Sequence, residues 1–346
     1  MKNQTYIFHT HSLNIYPTDY CNKRCCFCKL KEILTTKENS NEMKIDDLDK
    51  IIDFAKRSKI SKLRILGGEP SHHSQIVEFI ERIYEKGLSV PMIFTNGLFE
   101  NDKLIKCILE HHIKVNLNYL SIYTNEESKL VNKNIKKIVG RDKRNSSAFY
   151  LSITFYRPDQ DYKYIIDTCM RYNIRAIRWA LSEKSMLGGN MHVTWQELRT
   201  MVPLILKFVK ELINLNIYNE IECNLITPCV LTTRELTFFR KYTSGFGYFK
   251  CLPILDIFPD LTVHYCMGMP IINNITAKNT IQEMFFVQML ASEYFRKKPI
   301  AQKCLECKWR QNRSCQGFCL QFKYDENNSR DRKLLNEGLE WLNNRR

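Results

Sequence analysis

Short apolar runs alternate with amphipathic helices through the first two-thirds of the chain, and that order leaves few folds open. SLNIYP, KLRILGGEP, VPMIFTNG, VNLNYLSIY, AFYLSITFY and IRAIRWAL read as six strands. Between them, IDDLDKIIDFAKR places Ile45, Leu48, Ile52 and Ala55 on one helical face. The next helix repeats that spacing through Ile76, Phe79, Ile80 and Ile83 and meets a C-cap at Gly87. Each strand–helix unit returns the chain to the same end of a sheet, so the strands are parallel. The expected fold class is α/β, a partial (β/α)6 TIM-like barrel with its chemistry where strands end and loops begin. TWQELRTMVPLILKFVKELI, with Pro203 as a possible kink point, closes this unit. The division is a barrel over 1–216 and a small cysteine-rich unit with a C-terminal helix over 217–346.

A chain of 346 residues with 44% hydrophobic and 26% charged residues has an ordinary globular composition. Its N-terminus MKNQTYIFHTHS has no apolar signal core, and no run approaches the ~20 apolar residues of a membrane span. The reading is cytoplasmic, with no membrane partner. Fourteen cysteines suit metal or redox chemistry better than disulfides there. Cys107 and Cys169 lie in amphipathic helices as small buried hydrophobes, while Cys223 and Cys229 stand apart. The net charge of +15 suits an acidic peptide or an anionic cofactor. Lysines spread over many helices make nucleic acid an unlikely partner.

PTDYCNKRCCFC follows the first strand and sets Cys21, Cys25 and Cys28 in a C-x3-C-x2-C arrangement, with Cys26 between them. Three thiolates hold three irons of a cubane cluster and leave the fourth open to an outside ligand. Zinc instead asks for four ligands at paired spacing. A second field lies downstream. Cys251 and Cys266 flank a hairpin with Pro259 and Asp260 at its turn, and CLECKWRQNRSCQGFC supplies Cys304, Cys307, Cys315 and Cys319. A zinc ribbon is the rival there, although six cysteines exceed what one zinc needs.

The first loop, with Asn22 after its first cysteine and Phe27 before its last, resembles the cluster loop of the radical S-adenosylmethionine (radical SAM) superfamily. GGEP at Gly67, Gly68, Glu69 and Pro70 is similar to that family's motif for the SAM amino group, and Thr95, Asn96 and Gly97 resemble its third-strand turn. The resemblance covers roughly residues 10 to 215 and implies that Cys21, Cys25 and Cys28 hold a 4Fe–4S cluster that binds SAM. Cys26 is left out of that set. Reductive cleavage of SAM would give a 5′-deoxyadenosyl radical that takes hydrogen from an unactivated C–H bond, fed by an external one-electron reductant. By the same resemblance Asn96 is a cofactor contact, Ser121 reaches the ribose and Arg178 pairs with the SAM carboxylate. For Arg178 a structural role at a strand end competes, and Asn-Gly also favours a tight turn on its own.

The second field resembles the SPASM/twitch extension that carries auxiliary iron–sulfur clusters. That likeness implies one cluster on Cys251, Cys266 and Cys319 and another on Cys304, Cys307 and Cys315. The chain departs from the pattern in three places: the gap from Cys307 to Cys315 is long, Leu261 stands where glycine is common, and no cysteine follows Cys319. Cys229 is a candidate to complete the first cluster, and Asp325 or Asp331 the second; an open iron, or one cluster alone, are the alternatives.

The resemblance implies a radical SAM oxidoreductase, a maturase of a ribosomally made peptide or protein that forms crosslinks, epimerises or oxidises side chains. The alternative is a dehydrogenase or epimerase of an amino-sugar or cyclitol; a non-catalytic iron–sulfur or zinc scaffold is a third reading. Because the cluster loop begins at residue 21, leader recognition is expected to fall to a separate leader-binding protein or to the barrel's own basic surface. No general acid or base is assigned. Epimerisation would need a hydrogen donor, for which Cys223 and Cys229 are candidates although both read as core residues. His72, His73, His111 and His112 read as solvent-facing loop residues.

Overall fold

Each barrel strand turns apolar residues to the helices and, one position on, a largely polar set to the opposite face. Leu13 and Ile15 of β1 (Ser12–Ile15), Leu63 and Ile65 of β2 (Lys62–Ile65), and Ile93 of β3 (Met92–Thr95) are buried in the main core. Val115 and Leu117 of β4 (Lys114–Asn118), Leu151 and Ile153 of β5 (Phe149–Phe155), and Ile177 and Trp179 of β6 (Ala176–Leu181) continue it. The alternate positions, among them Asn14, Arg64, Asn116, Asn118, Thr154 and Arg178, make the other face far more polar. A sheet with this pattern must cover one side with helices and curl around the other.

The computed structural model describes residues 12–141, 149–223, 225–247, 249, 254–264, 266, 271–275, 280, 284, 294–325 and 327–331. Helices α1 (Ile45–Arg57), α2 (Ile76–Glu85), α3 (Asp102–Glu110), α4 (Asn125–Arg141) and α5 (Lys163–Tyr172) follow the first five strands in turn, and α6 (Leu198–Asn214) follows β6. On α2 the buried residues are Ile76, Phe79, Ile80 and Ile83, the expected stripe. Gly87 ends that helix with φ 78, donating its N–H to the Tyr84 carbonyl at 2.9 Å. On α1, Ile51 and Phe54 join Leu48, Ile52 and Ala55 in the core.

Six parallel strands are extended at both edges. β7 (Tyr218–Ile221) pairs parallel with β6. At the other edge β8 (Asp256–Ile257) pairs parallel with β1, setting Asp256 opposite Asn14. β9 (Thr262–His264) and β10 (Ile271–Asn274) add antiparallel, so the sheet order is β10-β9-β8-β1-β2-β3-β4-β5-β6-β7 and the barrel stays open. The sheet therefore runs across residue 217. In the β8–β9 turn Leu261 takes φ 65, a left-handed conformation, at the very position where the sequence lacks the glycine common in that pattern. Cys251 and the C-terminal helix expected near 332–346 lie outside the described residues. No helix among the described residues is long and apolar enough to cross a membrane.

Candidate active site

Cys21, Cys25 and Cys28 line one cavity of about 240 Å³ at the ends of the barrel strands, shared with Tyr16, Phe94 and Asn118 from alternate strand positions. Cys26 does not line it. It faces a small neighbouring pocket beside Tyr156 and Ser121, while its own carbonyl accepts the Met191 N–H at 2.7 Å. A turn closed by the Cys28 N–H on the Cys25 carbonyl at 3.1 Å separates the two directions.

Burial, then the Glu69 carboxylate, pushes the Cys21 thiol up to about 12; burial and the Cys28 sulfur do the same for Cys25, also to about 12. Burial also raises Cys28. Such thiols become thiolates near neutrality only against a strong positive centre. A single tetrahedral zinc, with Zn–S bonds of about 2.3 Å, would draw its sulfurs to within roughly 4 Å of one another. Among the described residues no three cysteine sulfurs come within 4.8 Å. Three half-buried, separated thiols on one cavity fit a multi-iron cluster and not a lone ion.

The GGE segment is stitched to this loop by its backbone. Gly68 donates to the Thr18 carbonyl at 2.9 Å and Glu69 to the Tyr20 carbonyl at 2.7 Å. A Cβ on Gly68 would sit 2.0 Å from the Tyr20 carbonyl oxygen, and Gly67 takes φ 145, so neither position admits a side chain. The Glu69 carboxylate is buried and accepts from the Ser71 hydroxyl at 2.6 Å, the Thr95 hydroxyl at 2.6 Å and the Asn96 N–H at 2.6 Å. Asn96 in turn donates to the Asn22 side-chain oxygen at 2.8 Å and reaches the Cys21 sulfur at 3.9 Å. The turn after β3 is thus wired to both earlier loops rather than standing alone.

Two of the expected contacts sit elsewhere. Ser121 is exposed and belongs to the small pocket with Cys26. Arg178 is buried on β6, off the cavity lining, where it pairs with Glu222 at 3.1 Å and lies over the Phe94 ring. His73, expected at the surface, is buried: its Nε2 donates to the Met43 carbonyl at 2.9 Å and its Nδ1 accepts the Gln75 N–H at 3.2 Å. His111 is partly buried on a Tyr84 ring, whereas His112 is exposed. Cys223 and Cys229, expected in the core, are both exposed: Cys223 lies just past β7 and Cys229 within the short 3-10 turn Pro228–Val230. Cys223 lines the main cavity.

Sequence reasoning missed the barrel's inner acid. Asp256 is buried on β8, where its carboxylate accepts from the Asn14 amide at 2.6 Å and the Tyr16 hydroxyl at 3.2 Å. Burial pushes it up to about 6 despite those donors. It was missed because only the β1–β8 pairing, 240 residues apart in sequence, brings it behind the cavity. Lys29, directly after Cys28, also lines the cavity and is ion-paired with Glu183.

The second cysteine field borders this site. Burial would lower Lys29, but the charges of Cys266, Cys223, Cys319 and Asp256 outweigh it and hold the amine up. The Gln321 amide touches two of these sulfurs, donating to Cys266 at 3.2 Å and accepting from Cys319 at 3.8 Å. Cys304 and Cys315 are buried and Cys307 half-buried; around them burial, then Arg310, lowers the Lys323 amine to about 8. After burial, the neighbours that raise Cys315 include Cys229 and Cys307, and Cys229 lines one cleft with Lys303. Cys229 therefore falls beside the Cys304–Cys307–Cys315 group. The Asp331 carboxylate is taken up by Lys298, by the Tyr294 hydroxyl at 2.9 Å and by the Asp325 N–H at 3.0 Å.

An open parallel barrel with three thiols after its first strand and a glycine-acid turn after its second defines the radical SAM class. Residues 15–153, the part of the chain that carries the cysteine loop, the GGE turn and the turn after β3, match the model of the radical SAM superfamily. The chain is 37% identical over 83 residues to the GTP 3′,8-cyclase of Lactiplantibacillus plantarum, covering 24% of this chain and 25% of that protein. It is 33% identical over 129 residues to the GTP 3′,8-cyclase of Aquifex aeolicus, covering 36% of this chain and 39% of that one. The chain thus spans a quarter to two-fifths of these curated relatives. Among solved structures, Streptococcus suis SuiB bound to S-adenosylmethionine superposes with a TM-score of 0.64 at 17% identity, over 89% of this chain and 72% of that one. Native anSMEcpe with bound AdoMet gives a TM-score of 0.65 at 16% identity, over 97% of this chain and 100% of that one. That match implies a 4Fe–4S cluster that binds SAM, and the cysteine-rich C-terminal region is compatible with auxiliary clusters.

Proposed function

We propose that this chain is a radical SAM oxidoreductase that modifies a peptide or protein substrate. In this reading residues 1–216 form the radical-generating unit and 217–346 a SPASM/twitch-like auxiliary unit. Cys21, Cys25 and Cys28 would hold the SAM cluster, and Gly67, Gly68, Glu69 and Asn96 would shape the place of the SAM amino-acid moiety. Ser121 and Arg178 have weaker support, since one lies off the main cavity and the other is already paired. When bound, the reduced cluster and SAM supply a 5′-deoxyadenosyl radical, for which an external one-electron donor is required.

The chain's own residues account for the rest. Glu69 fixes the loops after β2 and β3. Phe27, Leu66 and Phe94 contribute apolar stretches to the cavity wall. Tyr16 on the cavity wall is held in place by its hydroxyl donating to the buried Asp256 carboxylate.

The observation that carries the reading is the position of Lys29, which lines the cavity and feels Cys266 and Cys319. A cluster held on those cysteines would accept the electron left on a substrate radical, and the net outcome would be an oxidation. A peptide substrate is supported by two neighbours of similar fold over nearly the whole chain: SuiB has been solved with precursor peptide SuiA and anSMEcpe with the Kp18Cys peptide. The net charge of +15 favours acidic leader segments, recognised by the enzyme's surface or by a separate leader-binding protein. The local likeness to GTP 3′,8-cyclases supports a second reading, a small-molecule substrate. A cytoplasmic location fits the free cysteines among the described residues.

Anaerobic incubation of reconstituted enzyme, SAM and reductant with the peptide encoded beside the gene tests the proposal by mass spectrometry. A changed peptide mass or stereochemistry supports it. An unchanged peptide alongside turnover of GTP, an amino-sugar or a cyclitol moves the enzyme to the small-molecule class.

A further inference from the structure

At the opposite end of the barrel from the cavity, where α3 runs down into the start of β4, three side chains of different chemistry converge. The Cys107 sulfur, a His111 ring nitrogen and a Glu81 carboxylate oxygen all lie within 4.8 Å of one another, and no other such group of three occurs among the described residues. Cys107 and His111 are one turn apart at the end of α3, so both face α2, from which Glu81 projects. We propose that Glu81, Cys107 and His111 form a binding site for a divalent transition metal of the zinc class, clamping α2 to α3.

The arrangement is held before any ion arrives. The His111 ring is stacked on Tyr84 with centroids 3.9 Å apart and planes 12° apart, which fixes where its nitrogens point. The Tyr84 hydroxyl donates to the His111 carbonyl at 3.4 Å. His111 Nε2 and Glu81 Oε2 are 2.9 Å apart, and Cys107 is buried beneath them.

Thiolate, imidazole and carboxylate are the borderline donors that zinc prefers, and three of them leave a fourth tetrahedral position for water. One thiolate and one carboxylate neutralise a dication, so the ion enters the helix interface without net charge. On binding, the Cys107 thiol releases its proton to solvent and the neutral imidazole moves its proton from Nε2 to Nδ1. The site lies at the end of the barrel opposite the cavity, where a bound ion would brace α2 against α3. The expected role is structural.

The test uses the reconstituted holoenzyme, stripped of loose metal by a chelator, then equilibrated anaerobically with zinc and desalted. Wild type should retain about one zinc per chain with iron and sulfide unchanged, as a single three-ligand site predicts. Cys107→Ala, His111→Gln and Glu81→Gln should each weaken zinc binding at least about tenfold. The zinc X-ray absorption spectrum should show one sulfur at about 2.3 Å with the remaining ligands nitrogen and oxygen near 2.0–2.1 Å. Zinc should also raise the melting temperature of wild type but not of His111→Gln, a substitution at a partly exposed helix end that folding tolerates. Equal zinc in wild type and variants, a sulfur-only spectrum, or no bound zinc would each overturn the site.

Discussion

The Glu69 carboxylate accepts the Thr95 hydroxyl at 2.6 Å, and through that bond the turn after β2 fixes the turn after β3. With the Asn96 N–H and two donors of Ser71 on the same group, a buried carboxylate becomes the junction of the site.

Replacing Glu69 by Gln keeps the volume but turns an amide N–H₂ toward donors. The unmet groups should cost about 2–3 kcal/mol of stability. SAM affinity, measured by equilibrium dialysis on reconstituted protein, should fall at least about tenfold because both turns lose their anchor. Unchanged affinity would remove Glu69 from the site's architecture.

Gly68→Ala should be worse than its size suggests. Its Cβ would meet the Tyr20 carbonyl oxygen at 2.0 Å, so the cysteine loop must move away. Iron bound after reconstitution should drop to about half or less while far-ultraviolet circular dichroism stays that of wild type, since the strain is local.

How far the sequence was readable follows from where its periodicities were clean. The stripe Ile76, Phe79, Ile80 and Ile83 has no competing apolar face, so α2 and the barrel behind it follow directly. The cysteine loop and GGE were legible as motifs because their spacing is local. β8 was not, being two residues long and held to β1 by a pairing across most of the chain. Nor could spacing reveal that Cys229 sits near Cys315, or that Glu81 meets Cys107 and His111, since those encounters depend on how loops and helices pack. His72 and His73 read as solvent-facing loop residues, but the short turn after Glu69 drives His73 inward onto the Met43 carbonyl.

Asp256 should leave a mark on the pH dependence of stability. Burial raises it from 3.8 to about 6, so the folded state keeps a proton that the unfolded chain releases. Stability is therefore full below about pH 4 and declines as pH rises through about 6, by roughly 1 kcal/mol between pH 5 and 7.5. Urea midpoints of wild type should fall over that window relative to those of Asp256→Asn, which has no proton to lose. Parallel curves would contradict the assignment.

Cys229 should matter to the second field. In a background with Cys21, Cys25 and Cys28 replaced by alanine, Cys229→Ala should remove about half of the remaining iron and sulfide if it completes one of two clusters. Full retention would leave that cluster with three protein ligands.

The central claim is that three of the four crowded cysteines, and not the fourth, build the radical-generating centre. Its most direct measurement compares Cys25→Ala with Cys26→Ala after anaerobic reconstitution, following 5′-deoxyadenosine formation and the perturbation of the reduced-cluster electron paramagnetic resonance signal by SAM. Cys25 lines the cavity and Cys26 faces away beside Tyr156. Cys25→Ala should therefore abolish both signals while Cys26→Ala retains both; equal loss in the two variants, or retention in Cys25→Ala, would contradict the account.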